Sequence, residues 1–381
     1  MISSFFYYLH SPYIKKYIQL TIFSIFIGTS SLFASPISYF KNLDSVSNNK
    51  LIVFPVISYL PDNNWTFGIG SVDYFRVVPQ TEANTTRLSL VRFMGGYSLT
   101  KVKEAWTTWN IFLKNDNYFL KGEAYYKKIP DKFYGIGNNS LPGNIERYSY
   151  ETVNIKTYFL KKLPKKIFAG ITYQFQYVYH LKFDPNKELI RNLITGTKGG
   201  INSGLGICLI YDTRNNSVNP QSGNYIEFYN TINKKILGGD YDFATFSFVA
   251  KKYISVYKNN IIGFHYLLTT NEGNTPFFSM SFLGSEEILR GYPKNRYRDL
   301  SSTAFQVEYR SPTWRRMGFV CFTGLGEVSK SIYSFSWLKL KPSYGAGLRI
   351  ALNQKERLNI RLDYAFGYKI SSFYLSIGEA F

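Results

Sequence analysis

The sequence predicts an all-β fold, a transmembrane antiparallel β-barrel of sixteen strands. Three observations carry this. Apolar and polar residues alternate with a period of two along most of the chain. Ile167, Ile171, Tyr173, Phe175, Tyr177 and Tyr179, for example, stand against Gly170, Thr172, Gln174 and Gln176. Sixteen candidate strands can be counted, an even number as in single-chain bacterial barrels, and many are long enough to cross a bilayer at a tilt of roughly 45°. Strands of soluble proteins typically run about five or six residues. Finally, aromatic residues make up 18% of the 381 residues while mean hydropathy is only −0.17. A chain with one apolar face and one polar face averages to such a value; a bundle of apolar helices does not.

The chain reads in order as follows. Lys15 and Lys16 precede an uncharged run from Tyr17 to Phe33, and Ala34 follows among small residues. A basic start, an apolar centre and a small cleavage position mark a secretory signal over residues 1–34, with a membrane anchor as the competing reading. Residues 35–50 are a polar periplasmic leader, and residues 51–381 are the barrel. Candidate strands begin near Leu51, Trp65, Arg87, Val102, Asn117, Tyr148, Ile167 and Asn202 in the first half. They continue near Asn224, Tyr241, Asn260, Ser302, Arg315, Ser343, Leu358 and Phe373. Late alternation is sharp: Leu358, Ile360, Leu362 and Tyr364 against Arg357, Asn359, Arg361 and Asp363. In a soluble sandwich the apolar faces would form a core, whereas in an outer-membrane barrel they meet lipid. Strand length, strand number and aromatic clustering favour the barrel. So does the last strand, whose Phe373, Leu375, Ile377 and Phe381 are expected to share one face and resemble the assembly signal of outer-membrane barrels. Closure also leaves no unpaired sheet edge in hydrocarbon.

A long connection, roughly residues 271–299, separates the eleventh and twelfth strands. It contains Leu289-Arg290-Gly291-Tyr292. This core resembles the loop signature of the BamA/TamA superfamily of outer-membrane assembly and translocation barrels, also known as the bacterial surface antigen family. Phe133-Tyr134-Gly135-Ile136-Gly137-Asn138, Tyr211-Asp212-Thr213-Arg214 with Asn219-Pro220 and Gly223, Tyr344-Gly345-Ala346-Gly347-Leu348-Arg349 and Leu362-Asp363-Tyr364 resemble other segments of that family. The likeness runs from about Leu51 to Phe381. It implies that the long loop folds back into the lumen, with Arg290, Gly291 and Tyr292 locked there and the arginine anchored to acidic residues on the inner wall. By strand parity Glu308 and Asp363 are the candidate partners. An arginine in a narrow lumen is poorly hydrated, so a carboxylate is its best partner.

The sequence departs from the family in two places. Where many members carry Phe-x-Asp in the thirteenth strand, this chain has Phe322-Thr323-Gly324. And residues 35–50 are too few to fold as a periplasmic POTRA domain, which family members that assemble proteins carry. A barrel-only member is therefore expected. The resemblance also implies lateral opening between first and last strands. Pro55 in the middle of the first strand and Gly378 in the last are candidate weak points of that seam, with the entry of the leader into the strand as the equal alternative for Pro55.

Other chemistries find little support. His180 and His265 are the histidines of the strand region, and neither is spaced for a Ser-His pairing; His265 reads as lumen-lining. Cys208 and Cys321 fall in distant strands and are expected to be free thiols. No metal constellation or phosphate-cradling glycine loop is present, and no cofactor is implied. The net charge of +20 (45 Lys and Arg against 25 Asp and Glu) suggests nucleic acid at first sight. Yet the basic residues are spread over turns such as Lys161, Lys162, Lys165 and Lys166, and the aromatics follow strand parity instead of a binding stripe. Outer-membrane lipids are the expected partners, joined by a separate periplasmic partner and client proteins as the resemblance implies; nucleic acid is not. The expected function is insertion of outer-membrane proteins or transport across the outer membrane. The alternatives are a pore or surface barrel of the same ancestry, and an outer-membrane hydrolase.

Overall fold

A computed structural model describes residues 49–75, 77, 89–140, 145–184, 194–353 and 357–381. The expected signal segment and nearly all of the expected leader lie outside these residues. Eighteen strands follow one another: β1 (Asn49–Leu60), β2 (Asn64–Phe75), β3 (Ser89–Ser98), β4 (Lys103–Leu113), β5 (Tyr118–Phe133), β6 (Glu146–Leu163), β7 (Ile167–Phe183), β8 (Gly200–Asp212) and β9 (Gly223–Asn233). Then come β10 (Phe243–Ser255), β11 (Ile261–Gly273), β12 (Ser281–Leu283), β13 (Tyr297–Asp299), β14 (Ser301–Arg310), β15 (Met317–Ser329), β16 (Lys341–Asn353), β17 (Leu358–Gly367) and β18 (Ile370–Ile377). Sixteen of them form one closed antiparallel barrel in which each strand pairs with its sequence neighbours and β14 follows β11. The extra two, β12 and β13, form a small hairpin inside the connection between β11 and β14, for which the sequence predicts a long loop and no strands of its own.

Side-chain alternation decides between sandwich and barrel. Along β7, Ile171, Tyr173 and Tyr177 are exposed on the outside while Phe168, Thr172 and Val178 are buried inside. Along β8, Leu205, Ile207 and Leu209 point out while Asn202, Cys208 and Ile210 are buried. The wide apolar surface is therefore the exterior, as a hydrocarbon solvent requires and water would penalise.

The interior is not uniformly polar. Phe119, Tyr158, Leu160, Phe168, Cys208 and Ile210 form an apolar cluster inside the β5–β8 wall. Beside it Lys121 Nζ donates to Glu227 Oε2 at 2.7 Å, and Lys156 Nζ lies 3.5 Å from the Tyr229 ring centroid. Cys208 is buried, Cys321 is exposed on β15, and the two do not pair.

One end of the barrel carries the β11–β14 connection and is called here the loop end; β18 runs towards the other, the tail end. At the loop end the segment after β5 crosses the mouth. Gly137 N–H donates to the Arg298 carbonyl at 2.7 Å, Asn138 Nδ2 to the Lys339 carbonyl at 2.7 Å, and Arg296 Nη1 to Ser140 Oγ at 2.8 Å. The family-like aromatic-glycine segment thus serves as a strap over the folded-in loop.

The last strand differs from its expectation. β18 ends at Ile377, and Gly378 lies just beyond it with φ +98°, a backbone conformation that favours glycine. The chain there turns into the lumen. Phe373 and Ile377 face outward, but Phe381 is buried inside with Tyr253, Ile261 and Ala380. Phe381 therefore does not share the face of Phe373, Leu375 and Ile377, because the left-handed residue at 378 breaks the alternation that parity assumes.

Candidate lumen lock

Arg290 is carried inward by the loop between β12 and β13. Two left-handed residues shape that approach, Leu289 at φ 57° and Gly291 at φ +104°. A Cβ on Gly291 would lie 2.6 Å from the Phe366 backbone carbon, so only glycine fits against β17 there. The hairpin β12–β13 holds the two ends of the loop together, and Leu283, Leu289, Tyr292, Tyr297, Ala304 and Val328 pack as a small core around it.

The guanidinium of Arg290 is fully buried. Nη1 donates to Asp363 Oδ2 on β17 at 2.7 Å, and Nη2 donates to Glu308 Oε2 on β14. The sequence pointed to one or other of these carboxylates; the structure places the arginine on both. The Phe322 ring lies beneath it, 3.5 Å from the guanidinium carbon to the ring centroid. Planar stacking on one face and paired carboxylates at the edge suit arginine and would not suit lysine.

The backbone of the same loop is held as firmly. Leu289 N–H donates to Gln306 Oε1 at 3.0 Å and Gly291 N–H to Tyr374 Oη at 2.9 Å. Ser343 Oγ donates to the Arg290 carbonyl, and Ser372 Oγ to the Gly291 carbonyl at 3.3 Å. Tyr292 Oη donates to the Pro342 carbonyl at 2.7 Å and accepts from Tyr368 N–H at 2.8 Å. His265 lines the lumen as expected from parity and meets Gln306 Nε2 at 3.2 Å through its Nδ1.

Each carboxylate of the lock serves a second arginine. Arg310 Nε donates to Glu308 Oε1 at 2.7 Å and Arg349 Nη1 to Asp363 Oδ1 at 2.6 Å. Arg349 Nε continues to Glu379 Oε2 at 2.7 Å, and Arg361 Nη2 donates to Glu286 Oε2. Arg290, Arg310 and Arg349 with Glu308, Asp363 and Glu379 thus form one buried network with no net formal charge, and Arg361, whose own partner Glu286 is partly exposed, approaches Asp363 Oδ2 at 3.7 Å. Removing one member would strand its partners in a medium that penalises unpaired charge. Sequence reasoning picked Glu308 and Asp363 but missed Arg310, Glu379 and the tyrosine and serine clamps. Inward parity of Arg310 and Tyr374 was a usable signal for two of them.

The Phe322-Thr323-Gly324 departure also has its reason. A Cβ at Gly324 would come 3.0 Å from Gln306 Cγ and 3.1 Å from the Phe305 carbonyl oxygen of β14, and 3.3 Å from Leu289 Cδ1 of the loop, so the neighbouring strand and the loop together crowd the space an aspartate would need. The acids that hold the arginine come from β14 and β17 instead.

At the seam, closure of β1 onto β18 rests on a single residue pair, Tyr59 with Leu375. Pro55 is fully integrated on the other side, where it pairs with Ile69 of β2. Continuing the β1–β18 register would set Gly378 opposite Val56 and the next residue opposite Pro55, which is where the chain leaves the wall. Gly378 thus ends the strand instead of lying in it, a correction to the sequence reading. Among the described residues no group of His, Cys, Asp and Glu is arranged to hold a metal ion.

Among solved structures, the crystal structure of BamA from Haemophilus ducreyi lacking POTRA domains 1–3 is similar with a TM-score of 0.58 and 12% identity, over 87% of this chain and 70% of that one. CdiB from Escherichia coli is similar with a TM-score of 0.58 and 10% identity, over 90% of this chain and 69% of that one. CdiB from Acinetobacter baumannii gives a TM-score of 0.53 and 9% identity, over 87% of this chain but only 59% of that one. At such identities the likeness shows the fold. No curated protein matches the chain. The Omp85 superfamily domain matches residues 96–381, which include the loop, both carboxylates of the lock and the last strand, and the chain belongs to the Omp85 superfamily.

Proposed function

We propose that this protein is an integral outer-membrane barrel that takes part in inserting outer-membrane proteins or moving substrates across the outer membrane, with client proteins and a separate periplasmic partner as its interacting components. The observation that supports it most is the folded-in loop, seated by Arg290 between Glu308 and Asp363 next to the strands that flank the seam. A loop that fills the lumen and is held by β14, β16, β17 and β18 ties the shape of the last strands to the state of the interior. Closure through one β1–β18 pair leaves that seam the least bonded junction of the wall. A barrel serving as a standing pore gains nothing from either feature, since both obstruct or weaken it.

Depletion followed by profiling of the outer membrane tests the reading. Loss of several unrelated barrels, or of one exported substrate, is expected. An unchanged profile, together with steady conductance of the purified barrel in a planar bilayer, would replace it with the pore reading. A hydrolase would show turnover of lipid or peptide by the purified barrel.

A further inference from the structure

Strands β5, β6 and β7 run 16, 18 and 17 residues, against 8 to 13 for the other wall strands. The surplus lies at the loop end, where β5 and β7 continue past their pairing with β4 and β8, which stops at Lys128 and Val178. About ten residues of a tilted strand cross the hydrocarbon, so these ends rise above it. Their outward face changes character at that level. On β5 Leu120 and Ala124 give way to Lys128 and Lys132, on β6 Ile155 to Glu151 and Arg147, and on β7 Ile171 to His180 and Lys182. The loop end carries most of the long connections and the tail end the short β4–β5, β6–β7 and β10–β11 turns. In outer-membrane barrels that asymmetry puts the loop end outside. We propose that the outward face of β4–β7 at the loop end binds a phosphorylated lipid of the outer leaflet, with Lys103 and Lys128 holding one phosphate and Lys132, Arg147 and Lys182 another.

The register sets like charges against each other. Lys103 stands directly across from Lys128, and Lys132 directly across from Arg147. Lys182 stands across from Ser149, two residues from Arg147 along β6. Like charges facing each other across strands are destabilising, and the ladder holds these strands in place. Glu151 does not relieve them. Its Oε1 already accepts from Lys128 Nζ at 3.0 Å and meets His180 Nδ1 at 3.3 Å, and its Oε2 accepts from Tyr126 Oη at 2.9 Å. Among the described residues no carboxylate forms an ion pair with Lys103, Lys132, Arg147 or Lys182. Even with Asp184, whose N–H donates to the Arg147 carbonyl at 3.0 Å, five cations stand against two carboxylates on this face. Across the barrel, by contrast, the outward positions Ile360, Leu362, Tyr364 and Phe366 of β17 carry no charge.

Phosphate is the chemistry that fits. Its oxygens accept from several donors at once, arginine meets it with a planar fork and lysine as a point charge. A lipid fits better than a free anion, because the same face is apolar immediately below. Ile171 is 59% exposed there beside Ile155 and Tyr173, a surface suited to acyl chains. Tyr177 and Tyr179, stacked with ring centroids 4.6 Å apart, mark the boundary between the two zones, as aromatic girdles do. The two like-charged pairs lie four residues apart along β5, roughly 13 Å at the rise of a strand. A head group with two separated phosphates spans them. This site does not rest on the assembly reading, because it concerns the outer wall alone.

The test titrates the full chain in neutral detergent micelles with diphosphoryl lipid A and counts bound lipid by native mass spectrometry. Lys103→Gln with Lys132→Gln and Arg147→Gln should weaken binding by about tenfold or more, since three head-group cations are lost together. Lys161→Gln with Lys165→Gln and Lys166→Gln removes the same charge at the tail end and should leave binding unchanged. Lipid A stripped of both phosphates should bind the unaltered protein as weakly as the first triple variant binds the intact lipid. Heat-modifiable migration on gels reports folding, and Lys132→Gln with Arg147→Gln gives the same reading should the triple variant not fold. Equal losses at the two ends, or equal binding of intact and stripped lipid, would overturn the proposal. Full displacement of the lipid by an equimolar amount of inorganic phosphate would overturn it as well, by making the face a site for a free anion.

Discussion

At the scale of single residues, Arg290 is the centre of the lumen lock. It is buried with both carboxylate partners also fully buried, so its contribution is a matter of what happens when one partner is lost. Replacing it with alanine leaves Glu308 and Asp363 short of a cation, and breaking a buried pair costs about 3–5 kcal/mol. Arg290→Ala should therefore unfold at clearly lower urea concentration, read as loss of heat-modifiable migration. Arg290→Glu should be worse, and Arg290→Glu with Asp363→Arg or Glu308→Arg should recover part of the loss. Absence of recovery in both double variants would show that the arginine is held by its stacking on Phe322 and its backbone clamps instead. Gly324 supplies an independent check. Gly324→Asp restores the residue type common in the family but drives a side chain into Leu289 and Gln306. Overpacking of this kind typically costs about 1–3 kcal/mol, and the same urea titration should show it.

Among the elements, the seam and the loop hairpin carry the predictions that strands can make. Most neighbouring strands share eight or more paired residues, while β1 and β18 share one. Tyr59 and Leu375 face each other in that pair. Tyr59→Cys with Leu375→Cys, in a background with Cys208 and Cys321 replaced by serine, should form a disulfide under mild oxidation, visible as altered gel migration. If the seam opens during function, the oxidised barrel should fail to complement depletion and the reduced one should succeed. Full complementation by the oxidised form would exclude opening at this junction. The β12–β13 hairpin was missed from sequence because its strands are three residues each and carry no alternation long enough to detect. Such strands exist only because the loop's ends are pinned to the wall, where Asn271 Nδ2 donates to Ser281 Oγ at 3.1 Å and Ser281 Oγ to the Leu300 carbonyl at 3.1 Å.

On the scale of the whole molecule, the exterior is the decisive surface. Ile207 stands 59% exposed in the middle of β8, between Leu205 and Leu209 on the same outward face. Water would make that stripe a liability; hydrocarbon makes it a requirement. Ile207→Arg should reduce folding into vesicles by about 2–4 kcal/mol, the cost of a cation near the bilayer midplane, and should leave detergent-folded protein nearly unaffected. Equal effects in both solvents would mean that the stripe does not face hydrocarbon. Inside, the strap from the β5–β6 connection, the seated loop and the inward tail occupy successive levels of the lumen. Carboxylates shared between Arg290, Arg310 and Arg349 link the last two. That continuity is one chain of buried charge-assisted hydrogen bonds running from the seated loop to the inward tail.

How much of this was legible beforehand depends on the range of the interaction concerned. Alternation within a strand is local, so Ile171 against Thr172 or Leu362 against Asp363 was sufficient to place sixteen wall strands and their faces. Parity also put Glu308 and Asp363 inside, and the Leu289-Arg290-Gly291-Tyr292 segment marked the loop that meets them. Which carboxylate Arg290 takes is a different matter. It takes both, because β14 and β17 are brought to one side of the lumen only by closure of the barrel. The same holds for the tail. A strand pattern continued to Phe381 predicts an outward ring, and only the turn at Gly378, opposite a β1 edge interrupted by Pro55, sends it inward to Arg310 and Tyr253. The sequence by itself determined the wall, since a period of two is written residue by residue. The tertiary structure decided the lock, the strap and the inward tail, because each is made by residues far apart in the chain whose meeting depends on barrel closure.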